Sequence, residues 1–338
     1  MQTFEKTVFS QLSKFPSTRY MGSKDKLLPE LFRAFNKLEF SSALDIMSGT
    51  NSVAYLLKAM NKKVTTNDYM RMNFVIAKSL VSNNGTKLPD DIATELLKNN
   101  RTNKFIEDNF SGIYFDDADT REIQNINNNI QHLLKPSQKY LAKAALIRAC
   151  IKKRPRGIFA YTGLRYNDGR KDLRQTIGEH FIHSVETINN AVFSNKLTNK
   201  ALNIDSMDVN EQVDLVYIDP PYFSPPSDNE YVRRYHFVEG VARDWQGVEL
   251  QEHTKTKKFK SYPSPFSKLD TTIQAFEELI KKYAKSHIVI SYSSNALPKK
   301  NVILKILKKY KSNVHIKSVD YRYSFSNQGF AKDKIKNK

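Results

Sequence analysis

The sequence predicts an α/β protein with a parallel sheet, interrupted by a mainly helical insertion. Three observations carry that reading. Ser42–Met47 is a short apolar strand, Asn51–Met60 has helical spacing of Val53, Ala54, Leu56 and Leu57, and Lys63–Thr66 is a second strand, together a βαβ unit. Val213–Ile218 and His287–Ser291 are nearly continuous apolar runs, as strands are when helices cover both faces of a parallel sheet. From Gly85 to about Ser194 the texture turns polar, Asn-rich and Lys-rich, and the α/β pattern resumes only at Leu202-Asn203-Ile204-Asp205.

The remaining elements follow in order. A helix is expected from Leu27, and a longer one after Pro136 and Ser137 that runs to Lys153 and stops before Arg154-Pro155. Asp270 is placed to cap a helix whose Ile273, Phe276, Leu279, Ile280 and Tyr283 share one face, and Asn301–Tyr310 forms another. The expected organisation is one discontinuous domain, 15–84 and 196–325, around an insertion, 85–195, with a basic tail, 326–338. At 338 residues, 40% hydrophobic and 26% charged, the chain is long enough to bury a large core.

Lys and Arg number 54 against 35 Asp and Glu, a formal net charge of +19, which draws polyanions and points to nucleic acid; a Lys-rich solvated surface is the plain alternative. Cys150 stands alone, which excludes an internal disulfide and any Cys-x-x-Cys zinc arrangement and suits a reducing cytoplasm. With no run near the roughly 18 apolar residues of a membrane span and no signal-peptide pattern, the expected location is cytoplasmic.

Asp219-Pro220-Pro221-Tyr222 follows the strand ending at Ile218, where the carboxyl ends of parallel strands line a ligand crevice. These residue types suit methylation of an aromatic exocyclic amine, a poor nucleophile whose lone pair is delocalised into its ring. A carboxylate at Asp219 and the Pro220 carbonyl can each accept one N–H and localise the lone pair, while Tyr222 offers a stacking face for a base swung out of a duplex. A Pro-stiffened turn with Asp219 as a cap is the alternative. Asp45-Ile-Met-Ser-Gly-Thr-Asn51 lacks the Gly-x-Gly-x-x-Gly that cradles phosphates, but S-adenosylmethionine carries no phosphate. Asp45 can hold its ammonium, Gly49 lets the backbone approach, and Asp68 ends the second strand at the spacing at which an acid meets ribose hydroxyls. Two caps on an ordinary βαβ unit would read the same way.

Tyr20-x-Gly22-x-Lys24, Asp45–Thr50, Asn67-Asp68 and Asp219–Tyr222, in this order, resemble the Dam-like, alpha-order Asp-Pro-Pro-Tyr family of adenine-specific DNA methyltransferases, over about 17–84 and 203–325. The resemblance implies a Rossmann-like S-adenosylmethionine-dependent methyltransferase sheet that methylates the 6-amino group of adenine in double-stranded DNA by base flipping. It implies that Tyr20, Gly22, Lys24, Asp68 and Asp219 hold the cofactor, that Asp219, Pro220, Pro221 and Tyr222 receive the target base, and that the insertion is a target-recognition domain. Met47 stands where an aromatic is common in the family, and Asn51 where a small residue is common.

Within the insertion, Lys152, Lys153, Arg154, Arg156, Arg165, Arg170 and Arg174 alternate with aromatics and are candidates for phosphates or guanine edges, against a plain solvated loop. Arg233 and Arg234 add a second basic and aromatic stretch beside the tetrad. Ser291-Tyr292-Ser293-Ser294-Asn295 resembles the family's base-pocket edge, with a polar turn as an equal reading.

No His-Glu-x-x-His occurs and His180 and His183 lack a neighbouring cysteine, so no metal is expected. Cys150 lies outside any catalytic motif, against thiol chemistry on a pyrimidine carbon. Methylation of cytosine's amine or of adenine in RNA, and a catalytically silent DNA-binding subunit, are the rival functions. The set Tyr20, Lys24, Asp68 and Asp219 argues against the silent subunit. A monomer is expected, with a companion restriction endonuclease as candidate partner.

Overall fold

A computed structural model describes residues 2–164, 169–224 and 230–320. Five parallel strands, β1 (Ser42–Asp45), β2 (Lys63–Asn67), β3 (Lys200–Leu202), β4 (Leu215–Ile218) and β5 (His287–Ile290), lie in the order β3-β2-β1-β4-β5. Leu44 sits beside Thr65 on one side and Val216 on the other, so β1 is the central strand, flanked by β2 and β4.

Because side chains alternate across a strand, the sheet divides its residues between two cores. Leu44, Ile46, Val216 and Ile218 face one layer, built from α12 (Leu269–Lys282) and α13 (Lys300–Tyr310) through Phe276, Leu279, Ile280 and Ile303. Ala43, Leu215 and Tyr217 face the other, larger core. There the helices α1 (Gln2–Leu12), α2 (Leu28–Phe35), α3 (Ser52–Ala59) and α4 (Arg71–Leu80) meet the six helices from 90 to 191 and α11 (Tyr231–Arg243).

Those six are α5 (Asp90–Glu95), α6 (Phe105–Phe110), α7 (Asp117–Gln131), α8 (Pro136–Lys153), α9 (Lys171–Arg174) and α10 (Ile177–Ala191). The predicted helix from Pro136 to Lys153 is α8, which packs along α10, α4 and α11 and is buried on nearly every side. The inserted residues therefore share one core with the sheet's own helices. The Asn-rich texture is also explained. Asn128 donates to the carbonyls of Asn100 (2.8 Å) and Asn103 (2.9 Å), and Asn129 to those of Leu96 (3.0 Å) and Lys98 (2.8 Å), so α7 staples a loop that cannot pair its own backbone.

One expectation needs correction. Asp270 does not cap α12: the helix begins at Leu269 behind Lys268, and the Thr272 hydroxyl returns to the Lys268 carbonyl (2.6 Å). The basic and aromatic stretch around Arg233 and Arg234 lies on the helix α11, in which Val232, Tyr235, Phe237, Val238 and Val241 are buried and Arg233 is exposed. The basic tail, 326–338, lies outside the described residues.

Candidate active site

The crevice of a parallel sheet opens where strand order reverses, between neighbours whose connections leave in opposite directions. Here that point is the β1–β4 pair, and it brings Asp45, the last residue of β1, close to Asp219, the first residue after β4. A cleft open to solvent lies over these strand ends. Tyr20, Gly22, Lys24, Gly49, Asp68 and Asp219 all line it, along with Pro221.

The turn after β1 is shaped by residues with left-handed backbone. Gly49 (φ 48°) and Asn51 (φ 66°) both adopt it, and Asn is one of the few side-chain-bearing residues that does so at low cost. Asn51 is fully buried; its amide donates to the carbonyls of Gly49 (3.2 Å) and Asn73 (2.9 Å), and its oxygen accepts from the Thr66 hydroxyl (2.8 Å). The family departure at Asn51 is thus a built-in tie between the turn, β2 and α4. Asp68 completes the turn: one oxygen accepts from Gly49 N and the other from Met70 N, both at 2.9 Å. Burial raises its pKa to about 6, against the lowering effect of those backbone donors.

Asp219 pairs with the Lys24 ammonium through one oxygen and accepts from the Tyr222 hydroxyl (3.0 Å) through the other. Lys24 also donates to the Gly22 carbonyl (3.0 Å) and lies 5.2 Å from the centre of the Tyr222 ring. Burial pushes the Asp219 carboxyl up and Lys24 opposes that shift. Tyr222 meets Tyr292 edge to face at 5.2 Å, which places Ser291–Asn295 beside the tetrad, and the Tyr217 hydroxyl donates to Ser291 Oγ (2.8 Å).

Asp45 is 1% exposed, and neither carboxylate oxygen makes a well-formed hydrogen bond among the described residues. Burial raises its pKa well above the carboxylate range, the neighbouring Asp219 and Asp68 add to that, and the Ala54 N–H and Lys24 offset only part. The buried Ser48 hydroxyl, on the cleft wall, is also without a partner among the described residues. Asp45 itself is not on the cleft wall, which carries the carboxylates of Asp68, Asp205 and Asp219, the Lys24 ammonium and the orphaned Ser48 hydroxyl, a set that fits a ligand that is cationic and has polar groups to share, as a sulfonium amino acid has.

Tyr20 is packed between Tyr235 (4.7 Å) and Tyr231 (5.6 Å) in near-parallel stacks, and its hydroxyl accepts from Asn73 (3.1 Å). Both partners belong to α11, whose Glu239 is fully buried and accepts from the N–H groups of Arg71 and Met72 (2.9 Å each), capping α4. The cleft wall also contains residues the sequence did not single out for this role: Asp205 and Ser206 after β3, and Pro263–Phe266 from a distant loop. Asp205 did carry a signal, since it follows a short strand as Asp68 does.

The candidate DNA-binding residues are enclosed, half-buried or exposed, and the expectation is corrected for the enclosed ones. Arg154 is 1% exposed and its guanidinium donates to the carbonyls of Tyr114 (3.0 Å), Gly163 (2.9 Å) and Tyr161 (2.9 Å). Lys153 is 5% exposed and paired with Asp119 at 3.0 Å. A side chain enclosed in this way cannot meet a phosphate. Lys152 is half-buried near Asp172, Arg170 donates to the Pro155 carbonyl and Arg234 is half-buried. Arg156, Arg174 and Arg233 are exposed, the last paired with Glu230 at 2.6 Å. Arg165 lies outside the described residues. Among the described residues no group of His, Cys, Asp and Glu is arranged to hold a metal ion, and no helix is long and apolar enough to cross a membrane.

A parallel sheet carrying Asp-Pro-Pro-Tyr at its switch point, beside a cleft built for a cation, defines an amino-group methyltransferase. The chain belongs to the D12 class N6 adenine-specific DNA methyltransferase family, whose model matches residues 20–325. It is 24% identical over 326 residues to the type II methyltransferase M2.HphI of Haemophilus parahaemolyticus, covering 92% of this chain and 93% of that one. It is 27% identical to the modification methylase StsI of Streptococcus sanguinis, covering 94% of this chain but 50% of that one. The modification methylase LlaI of Lactococcus lactis is 23% identical over 91% of this chain and 52% of its own length. Membership implies S-adenosylmethionine as methyl donor and DNA as substrate.

Proposed function

We propose that the chain methylates adenine at a specific site in double-stranded DNA, after the base has swung out to stack at Tyr222, and that it serves as the modification methylase beside an endonuclease of the same specificity. The observation that carries this reading is Asp219, held by Lys24 and Tyr222 at the mouth of a cleft lined with carboxylates. Bound there, S-adenosylmethionine supplies an electrophilic methyl group on sulfur.

Asp45, Ser48, Gly49 and Asp68 are the residues we assign to holding the cofactor. A carboxylate has about four lone-pair sites, so Asp219 keeps capacity for a third donor while bound to Lys24 and Tyr222. The adenine amine gives one N–H to Asp219 and one to the Pro220 carbonyl, which frees its lone pair to form the new C–N bond. The C–S electron pair stays with sulfur, and the surplus amine proton leaves along the hydrogen bond to Asp219. Residues 85–195 supply target recognition, with Arg156 and Arg174 facing DNA and Arg233 adding contacts near the base.

The test is transfer of labelled methyl to duplex DNA, followed by sequencing of methylated adenines in DNA from an expressing host. Label in adenine at one recurrent sequence, and loss of transfer with retained DNA binding in Asp219→Ala, are expected. Label only in RNA or at cytosine, or full activity in the variant, overturns the reading.

A further inference from the structure

We infer that Arg154 is a positioning residue, a buried template on which the DNA-facing loop 155–164 is folded before DNA arrives. The inference rests on the proposal that this loop faces DNA. Arg154 ends α8, and besides the Tyr114 carbonyl its guanidinium holds the carbonyls of Ile158 (3.3 Å), Tyr161 (2.9 Å) and Gly163 (2.9 Å). Three of these four acceptors belong to the loop, so the chain from 158 to 163 is wrapped around one planar cation. The rings of Tyr114, Phe159 and Tyr161 lie 5.3, 5.7 and 5.2 Å from it and exclude water. A lysine cannot replace this arrangement, because its ammonium is a point charge on a flexible stem and lacks the rigid donor fork.

The loop is fastened from outside as well. Phe159 N donates to the Arg234 carbonyl (2.7 Å) and Gly163 N to that of Ile113 (3.0 Å). Gly157 (φ 70°) lies so close to Arg19 that a Cβ there would stand 2.8 Å from that residue's Cβ and carbonyl oxygen. Arg19, one residue before the cofactor motif, donates to the Arg154 carbonyl (3.0 Å) and pairs with Asp172 (2.5 Å). What the wrapped loop leaves outside is Arg156, Ala160, Thr162 and Leu164, the last 43% exposed. A loop ordered in advance avoids the ordering entropy otherwise lost on binding, so its template acts on affinity and specificity through geometry. An exposed arginine on a phosphate acts through counterion release instead.

These two modes separate by salt dependence. Binding of the full-length protein to a duplex carrying its mapped methylation site is measured between about 50 and 200 mM salt for wild type, Arg154→Lys and Arg156→Gln. Arg154→Lys is expected to weaken binding about tenfold or more at every salt concentration. Its log–log salt slope stays that of wild type, its discrimination against a duplex altered by one base pair falls, and S-adenosylhomocysteine binding stays within about twofold, since Arg154 does not line the cleft. Arg156→Gln is expected to flatten the slope by about 1. A flattened slope in Arg154→Lys, or wild-type binding and discrimination, overturns the inference. An unchanged slope in Arg156→Gln overturns the DNA-facing reading on which it rests. Should Arg154→Lys not fold, hydrogen exchange on the DNA-free wild type decides: protected amides at Phe159 and Gly163 support a preformed loop, and fast exchange at both overturns it.

Discussion

The cleft and the loop after α8 are both rich in charge, yet they handle it in opposite ways. Beside the cleft, Asp45 is buried with no well-formed donor, and on its wall the Ser48 hydroxyl has no partner among the described residues, so polar groups are left unsatisfied. Under the loop, at the end of α8, Arg154 and Lys153 are saturated by carbonyls and a carboxylate, so charge is consumed. Buried charge that lacks partners marks a place for a ligand, whereas buried charge with every partner present marks scaffolding. Sequence composition cannot distinguish the two, because both appear as charged residues beside aromatics.

The largest effect that would break this contrast is at Lys24. If Lys24 keeps Asp219 ionised as an acceptor, Lys24→Met lowers kcat by about a hundredfold or more and moves the acid limb of the kcat profile to higher pH. The sign follows from the causes: burial raises the Asp219 pKa and Lys24 lowers it, so losing Lys24 leaves only the upward push. A pH–rate profile checks this, and an unmoved acid limb with reduced kcat would assign Lys24 to the cofactor alone.

Next in size is a pair of stability measurements on the loop. Arg154→Ala leaves the carbonyls of Tyr114, Tyr161 and Gly163 without their buried donor, for an expected loss of about 3 kcal/mol or more by denaturant unfolding. Arg156→Ala, at an exposed position, should stay within about 0.5 kcal/mol of wild type. Equal effects would erase the division between template and surface.

That division also shows what the sequence made legible. Strand ends were readable because one short apolar run fixes where its last residue points, so Asp45, Asp68 and Asp219 converge wherever parallel strands pair in this order. The helix from Pro136 to Lys153 was equally clear, with proline starting it and Arg154-Pro155 stopping it. Pro263–Phe266 was invisible, since a loop reaches the cleft by tertiary packing that leaves no periodic trace. α11 is hidden for another reason: Arg233 and Arg234 interrupt an apolar face that includes Val232, Tyr235 and Val238, and the basic pair masks its helical period. Arg154 is ambiguous in sequence for a related reason, because a planar cation that binds carbonyls and one that binds phosphates are the same residue.

Asp45→Asn gives a smaller effect with opposite signs on two readouts. Removing an uncompensated buried carboxylate should stabilise the ligand-free protein by about 1 kcal/mol, while S-adenosylhomocysteine binding weakens several-fold. Because the Asp45 pKa is raised on folding, the wild type is penalised increasingly as pH rises above the ordinary carboxylate range. The stability gap between the two proteins should therefore widen from pH 4 toward neutrality, as thermal unfolding with and without ligand would show. A destabilised variant would mean that Asp45 is scaffolding.

The smallest expected effect lies at the opposite end of β4 from Asp219. Asp214 precedes that strand on the surface, and one of its oxygens accepts from Ser41 N (2.9 Å), Ser41 Oγ (2.8 Å), Ser42 N (2.8 Å) and Ser42 Oγ (2.9 Å), pinning β4 to the start of β1. Those donors hold its pKa below the usual carboxylate range, the reverse of Asp219 at the strand's other end. A depressed carboxylate stabilises above its unfolded pKa and loses that contribution as pH falls through the folded value. Asp214→Asn should then lower thermal stability slightly at pH 7, by an amount limited by solvent screening, and the deficit should close as pH falls below about 4. A deficit that persists in acid would mean that the amide breaks the serine contacts by shape, leaving the carboxylate's charge with no part in the register of the central strands.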